Sequence, residues 1–405
     1  PTTLGAFQVN FSGGVGQNGG TDIAITKYDT SGTQRIYSTY LGGSMDELPH
    51  SMIVNDLGEL YVFGTTGSSD FPTTNTSYDN TFNGGYSFTL QGLGCSFPNG
   101  SDIFISKLNS QGGELISSTF VGGSSNDGLN LANKLKINYA DEVRGEIELD
   151  QDNNIYIVSC TKSTDFPTTK NAFQKTIKSG QEGCIFKMDS ELKSIIWSSY
   201  LGGLKQDAIY SIAIEKNNIY VTGGTNSSDF PTTVNSYQPD YVDSLKSDAF
   251  ITKISLTGDK IINSSFFGSN EYDQSYFVEL NNTGDVYIFG QTESKDSTLV
   301  YNSNYFQLSS GQFIAKFTED LSKLKKSTVI GTGKGGPDIS PTAFLVDVCG
   351  RVYFSGWGSS SANLGWQLST LDLPVTQNAH QKITDGHDFY LMVLSEDFDS
   401  LIYAT

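Results

Sequence analysis

The chain has 405 residues, and 25 Lys and Arg face 44 Asp and Glu, which gives a formal net charge of −19. An acidic surface argues against nucleic acids and anionic membranes as partners, because both attract basic surfaces. The sequence contains no apolar run long enough to span a bilayer. We therefore expect no nucleic-acid partner and no direct membrane insertion.

Short stretches of alternating apolar and polar residues, each ended by Gly, Asn or Asp, predict antiparallel strands along the whole chain. Residues 1–43 hold one strand pair, "DIAITKYDTSGTQRIYSTYLGG" from Asp22. Five longer repeats follow, and each contains two such strand pairs. We name the four strands of a repeat A, B, C and D in chain order. The repeats occupy residues 52–123, 146–203, 211–268, 276–330 and 344–405.

The spacing of the repeats predicts the fold class. A lysine in strand C recurs at Lys27, Lys107, Lys187, Lys253 and Lys316. A small four-stranded sheet cannot bury both of its faces alone, whereas radial repetition lets each sheet cover its neighbour. We predict an all-β β-propeller with a partial N-terminal blade and blades 1 to 5. A parallel β-helix would lack the paired hairpins, and separate sandwiches would need linkers.

One motif, DFPTT, directly follows strand B in three repeats, at residues 70–74, 165–169 and 229–233. Its Asp can accept bonds from turn N–H groups, its Phe can plug the gap between blades, and its Pro ends strand pairing. The alternative is a ring of carboxylates that binds cations. We favour structural joints, because the motif is not kept in blades 4 and 5. The joint residues are Asp70, Phe71, Asp165, Phe166, Asp229 and Phe230.

Enzyme signatures are scarce in this sequence. The three histidines, His50, His380 and His387, are not spaced as metal ligands, and no nucleophile elbow or HExxH motif occurs. Residues 150–154 begin like a calcium loop but lack its Gly at position six and its Glu at position twelve, so a hairpin turn is favoured. We predict no catalytic residue, no cofactor and no metal centre, with a structural calcium ion as the alternative.

Two of the four cysteines stand where a disulfide could form. Cys160 ends strand B and Cys184 begins strand C of blade 2, and facing positions of an antiparallel pair are close enough for a bridge. An exported protein would permit this bond. Cys95 in an insertion and Cys349 in a turn are not expected to pair.

The insertions are the best indication of a binding surface. They lie at residues 75–101, 124–145, 331–341 and 357–386, all in B–C or D–A connections, which emerge on one face and should form two clusters. Function concentrates on loops held by a rigid scaffold, and exposed aromatics suit a protein or sugar partner. The alternative is a lid over the central channel. The candidate binding residues are Tyr78, Phe82, Tyr86, Phe88, Trp357 and Trp366.

Several stretches resemble a known family. "TKYDTSGTQRIYSTYLGGS" and "NNIYVTGGTNSSDFPTT" resemble the bacterial SBBP repeat of seven-bladed β-propellers. "ISPTAFLVDVCGRVYFSGWG" is similar to the propeller segment of very large Bacteroidota surface proteins. Such proteins carry a gliding-motility-associated C-terminal sorting domain and use type IX secretion. The resemblance implies export to the cell surface, seven blades in a longer polypeptide, and other domains of that polypeptide as partners.

Together these patterns lead to one functional expectation. We expect a non-catalytic propeller module of a secreted surface protein, serving adhesion or acting as a protein-interaction scaffold. The partner would be a protein or a surface glycan. The alternatives are a carbohydrate-binding, lectin-like propeller and a polysaccharide-cleaving enzyme with its site at the channel mouth.

Overall fold

The computed structural model describes residues 2–138, 140–215, 217–242, 245–361 and 366–405. The regular secondary structure of the described residues is almost entirely β-strand, with short 3-10 helices at Gln17–Gly19, Asn133–Leu135 and Asp141–Val143. Its contacts form two compact units. Unit 1 comprises Pro1–Leu131 and Glu142–Leu201, and unit 2 comprises Ala132–Asp141 and Gly202–Thr405.

Unit 1 contains the partial blade and blades 1 and 2. The partial blade pairs β1 (Ile23–Tyr28) with β2 (Arg35–Leu41). The next six strands are β3 (Glu47–Val54), β4 (Leu60–Thr66), β5 (Phe88–Leu90), β6 (Cys95–Phe97), β7 (Asp102–Leu108) and β8 (Leu115–Val121). Blade 1 has the order β3-β4-β7-β8, and β5 and β6 form a separate hairpin in its B–C insertion. Blade 2 is built from β9 (Glu146–Leu149), β10 (Ile155–Thr161), β11 (Glu182–Met188) and β12 (Ile195–Leu201).

Unit 2 contains blades 3, 4 and 5. Blade 3 consists of β13 (Asp207–Glu215), β14 (Asn218–Thr225), β15 (Asp248–Ser255) and β16 (Ile261–Phe267). Blade 4 consists of β17 (Asp273–Leu280), β18 (Val286–Thr292), β19 (Gln312–Phe317) and β20 (Leu324–Ile330). The last strands are β21 (Ser340–Val346), β22 (Val352–Trp357), β23 (Ser360–Ser361), β24 (Trp366–Gln367), β25 (Phe389–Leu394) and β26 (Leu401–Ala404). Blade 5 has the order β21-β22-β25-β26.

These five antiparallel four-stranded sheets, each running A to D in chain order, are the blades of a β-propeller, and the predicted fold class is confirmed. The blades stack through apolar side chains. In unit 1 a single cluster contains Ile103 and Ile105 of blade 1 together with Ile155 and Ile157 of blade 2. All residues of strands β4, β7 and β10 are buried, so both faces of these central strands are covered.

In four blades, strand A begins several residues before the position that the apolar alternation indicates. β13 starts at Asp207, ahead of the expected Ser211, and a β-bulge shifts its register between Ile209 and Ser211. Equivalent shifts occur in blades 1, 4 and 5. A bulge inverts the phase of a period-two pattern, so the alternation becomes readable only after it.

The insertion at residues 124–145 interrupts strand A of blade 2. Asp127 forms an isolated bridge to Thr161, and the regular ladder resumes only where Glu146 pairs with Val158. In blade 3 the same interval spans only residues 208–210, at the bulge. The extra chain therefore enters at the bulge position of strand A, and its middle part, Ala132–Asp141, packs in unit 2.

Blade 5 leaves one face of its sheet uncovered. The strands β22 and β25 alternate between buried and more exposed residues, whereas β18 and β19 of blade 4 are buried throughout. The exposed side includes Leu345, Phe389 and Leu391, whose relative exposures are 53%, 73% and 38%. We call this surface the open face of blade 5.

Candidate functional site

The three DFPTT motifs join the B–C loop of a blade to the D–A loop that precedes it. Oδ1 of Asp70 accepts the backbone N–H of Ser44 at 2.9 Å, and Oδ1 of Asp165 accepts that of Ser124 at 2.9 Å. Both serines add a hydroxyl bond to the same oxygen. Asp229 accepts the N–H of Leu204 at 2.9 Å. The carboxylate is thus occupied by turn donors in every copy.

The phenylalanines of the same motif are buried. Phe71, Phe166 and Phe230 each expose only 3% of their surface. Phe166 lies 6.0 Å from Phe186 and belongs to the apolar cluster that blades 1 and 2 share. Phe71 occupies the corresponding cluster between the partial blade and blade 1. In the described residues no group of three or more His, Cys, Asp or Glu side chains could hold a metal ion.

A second repeated acid lies at the start of strand A, and sequence reasoning missed it. Oδ2 of Asp127 accepts the N–H of Gly123 at 2.7 Å and the hydroxyl of Ser163 at 2.8 Å, and Thr161 bonds to Oδ1. Glu47, Asp207 and Asp273 take the same place in other blades. Burial raises the pKa of Asp127 to about 7. The available signal was an acid four residues after the second glycine of the GG that ends strand D, at Gly43, Gly123 and Gly203.

The recurrent lysine of strand C closes the A–B hairpin. Lys187 Nζ lies 2.8 Å from Oδ2 of Asp150 and 4.7 Å from the ring centroid of Tyr156. Oδ1 of Asp150 accepts the N–H groups of Asp152 and Asn154 at 3.0 and 2.9 Å. In blade 1, Lys107 forms an ion pair with Glu59 and lies over the ring of Tyr61. The residues that begin like a calcium loop therefore form a capped turn.

The expected disulfide between Cys160 and Cys184 is wrong in this structure, because both residues are thiols. The ladder pairs Cys160 with Gly183 and Cys184 with Ser159. The two cysteines are thus one register position apart, and successive side chains of a strand point to opposite faces. A bridge would have to pass through the sheet. Burial raises the pKa of Cys184 well above its ordinary value, so this thiol is unreactive.

The insertion of blade 1 presents few of its aromatic rings to solvent. Phe88 stacks on Phe97 with centroids 4.8 Å apart, and Phe82 packs on Phe120 at 5.9 Å. Tyr78 is 38% exposed, while Tyr86 is 76% exposed. Of the four candidates in this insertion, Tyr86 is therefore the one that offers most of its surface to a partner.

In unit 1, residues 75–101 lie in contact with the first part of the insertion at residues 124–145. Ser101 accepts the N–H of Asp127 through its carbonyl at 2.9 Å, and its hydroxyl donates to the carbonyl of Asp127 at 3.0 Å. These bonds connect residues 75–101 with the start of residues 124–145. The pair forms the first loop cluster.

The two insertions of unit 2 form the second loop cluster. Ser369 donates its N–H to the carbonyl of Asp338 at 2.7 Å, and Lys334 forms an ion pair with Asp372 at 2.7 Å. Trp357 is half-buried, and its indole N–H donates to the carbonyl of His387 at 2.7 Å. The side chain of the other candidate, Trp366, lies outside the described residues.

A groove of about 260 Å³ opens beside this second cluster, at the edge of the open face. Its apolar walls include Leu371, Ile383 and Phe389, which are 46%, 85% and 73% exposed. Sequence reasoning did not select these residues, because single aliphatic residues in a loop carry no pattern. The groove and the open face share Phe389, so they are continuous, and the groove is also lined by the charged Asp372, Lys382 and Asp388.

The fold and the repeated joints define a class of protein: a β-propeller built from sequence repeats. Within that class, residues 196–231 match the model of SBBP, described as a beta-propeller repeat. The matched stretch runs from strand D of blade 2 to the third DFPTT motif. No curated protein matches the chain.

Solved structures resemble the chain at low sequence identity and low TM-score. A protein of unknown function from Bacteroides caccae is 8% identical, covers 94% of this chain and 89% of its own, and has a TM-score of 0.38. One from Dyadobacter fermentans is 14% identical, with coverages of 85% and 81% and a TM-score of 0.40. An inactive virginiamycin B lyase from Staphylococcus aureus is 13% identical, with coverages of 95% and 88% and a TM-score of 0.36. Likeness at this level carries no argument about function.

Proposed function

We propose that the chain is a non-catalytic propeller module of an exported cell-surface protein, serving adhesion or acting as a scaffold for protein partners. The open face of blade 5 is the observation that supports it. Large exposed apolar patches mark interaction sites, because monomeric proteins rarely leave such surface in water. Leu345, Phe389 and Leu391 form such a surface on a rigid sheet, with the groove at its edge.

The chemistry of the open face favours a polypeptide partner. Its residues are apolar or uncharged, and an apolar sheet face is matched best by another apolar sheet or loop. The residues concerned are Leu345, Tyr353, Ser355, Phe389, Leu391 and Ile402. We propose that a further blade of a longer, seven-bladed polypeptide packs here, as the resemblance to SBBP proteins of Bacteroidota implies. Other domains of that polypeptide are then natural partners.

Adhesion is assigned to the loop clusters. Tyr86 and the aromatic surface around Trp357 could contact a protein or a surface glycan, since aromatic rings give large contact areas at low entropic cost. The net charge of −19 supports the absence of a nucleic-acid partner. The described residues include no helix that is both long and apolar enough to cross a bilayer. We propose type IX secretion as the export route, and no cofactor, with a structural calcium ion as the alternative.

The association surface can be tested with variants of the open face. Light scattering after size-exclusion chromatography should show concentration-dependent self-association of the wild type through this apolar surface. Leu391→Asp and Phe389→Asp should reduce it. Val348→Asp is the matched control, because Val348 is 83% exposed in the A–B turn of the same blade. Equal association of all four proteins would contradict the proposal.

The functional class needs a separate experiment. The immobilised chain should bind protein ligands or glycans without consuming them, and polysaccharide substrates should yield no cleavage products. Tyr86→Ala should weaken binding if the first loop cluster carries adhesion. Cleavage of a polysaccharide would favour the enzyme alternative, and binding restricted to glycans would favour a lectin.

A further inference from the structure

Residues 132–138 and 140–141, which we call the strap, fill a polar recess of unit 2. The strap has no strand of its own, and Leu135, Asn138 and Asp141 are fully buried in the recess. The recess side chains come from strand A of three blades and from strand B of blade 4, and all are at most 3% exposed. They are Tyr210, Gln274, Tyr276, Gln291 and Ser340.

The recess binds the main chain of the strap. The hydroxyl of Ser247 donates to the carbonyl of Lys134 at 3.0 Å. The phenol of Tyr210 donates to the carbonyl of Leu135 at 3.1 Å. Main-chain carbonyls are present in any peptide, so these two bonds would hold any chain that adopts the same path.

Two strap side chains are bound with greater selectivity. Asn138 accepts the hydroxyl of Ser340 at 2.8 Å, and its Nδ2 donates to Oε1 of Gln291 at 3.2 Å. Oδ2 of Asp141 accepts the phenol of Tyr276 at 3.2 Å. A site that uses both the donor and the acceptor of an amide discriminates against residues that lack either.

Burying the polar side chains of the recess costs free energy, and a recess that only needed to be filled could be apolar. Burying polar side chains requires hydrogen-bond partners, and an apolar plug of the same volume would avoid that cost. The strap also leaves part of the recess unmatched. Among the described residues, Oε1 of the fully buried Gln274 accepts no hydrogen bond.

We propose that this recess is a peptide-binding site that the strap occupies in the resting protein. Its ligand is a peptide with leucine, asparagine and aspartate in the order Leu-x-x-Asn-x-x-Asp, which is the order of residues 135, 138 and 141. The peptide comes either from another protein or from the strap of a second copy. The strap lowers the apparent affinity for such a ligand, because only the fraction of molecules with an open recess can bind it. This site is separate from the open face of blade 5.

The first test uses the wild-type protein and hydrogen exchange. Amides of residues 132–138 should exchange at least about tenfold faster than those of β14 and β18, because the strap opens locally while the sheets stay folded. Exchange of the strap as slow as that of these strands would overturn the proposal, since a permanent plug cannot admit a ligand.

The second test measures binding of a fluorescent synthetic peptide with the sequence of residues 131–142. Asn138→Ala removes the strap's bonds to Ser340 and Gln291 and should tighten peptide binding at least about tenfold over the wild type. Asn133→Ala is the matched control, since Asn133 is an exposed asparagine in the same segment. It should leave binding unchanged.

A receptor-side variant shows where the peptide binds. Ser340→Ala, added to Asn138→Ala, removes the hydroxyl that the asparagine of the peptide accepts and that the variant strap no longer uses, so it should abolish the gain. A gain that survives Ser340→Ala, or no gain at all, would overturn the proposal. Concentration-dependent dimers of Asn138→Ala would identify a second copy as the source of the peptide. A monomer that binds the peptide would identify another protein.

Discussion

Replacing Phe166 by Ala tests whether DFPTT is a structural joint. The ring is 3% exposed and lies 6.0 Å from Phe186 and 6.1 Å from Tyr200, in the core that blades 1 and 2 share. Removing a buried Phe side chain costs about 3–5 kcal/mol through lost burial and the remaining cavity. Because Phe166 lies on a loop that can partly close over the cavity, we expect a loss of about 3 kcal/mol in the free energy of unfolding.

Urea denaturation measures this loss. With a slope of about 3 kcal/mol per molar urea, the midpoint should fall by about 1 M. Fluorescence and circular dichroism should be recorded together, because only coincident transitions allow a two-state free energy. Phe389→Ala is the matched control, since Phe389 is 73% exposed, and it should change the midpoint little. If both variants lowered the free energy of unfolding equally, Phe166 would not stabilise the contact between blades 1 and 2.

Three further predictions concern the same framework. Asp165→Ala should lower the free energy of unfolding by about 1 kcal/mol, because the N–H of Ser124 loses its acceptor, and the exposed Thr164→Ala should not. Burial raises the pKa of Glu47 and Asp102 to about 8, so the folded state keeps protons that the unfolded state releases. The urea midpoint should therefore fall as the pH rises from about 5 to about 8, and a rising midpoint would contradict this. Alkylation in urea without reductant should modify all four cysteines, as measured by the mass of the intact protein. Protection of Cys160 and Cys184 from alkylation would instead support the disulfide.

The strands and their order could be predicted because each blade repeats the same local pattern. "NNIYVTGGT" alternates apolar and polar residues and ends at glycine, and this is enough to identify strand B. The repeated contacts of DFPTT were predictable for the same reason, since its Asp and Phe recur at the same offset from strand B, but its role as a joint stays a prediction.

Register and bulges could not be predicted from the sequence. In the observed register Cys160 faces Gly183, and a shift by one residue would make it face Cys184. No local sequence pattern decides between these two registers. The bulge in strand A hid the acids at its start, because residues on its two sides follow opposite phases of the alternation. Loop residues such as Ile383 form a groove only through contacts that are distant in the sequence.

The position of the strap was the feature least predictable from the sequence, because its hydrogen-bond partners are distant along the chain. Asn138 bonds to Ser340 and Gln291, and Lys134 accepts from Ser247. A contact that recurs in successive blades can be explained by stacking, as with Asp70 and Asp165. The bonds of Asn138 occur once, so blade stacking does not require them. The desolvation of these polar groups must be offset by what the recess binds, so we expect function at the strap and not at the repeated motifs.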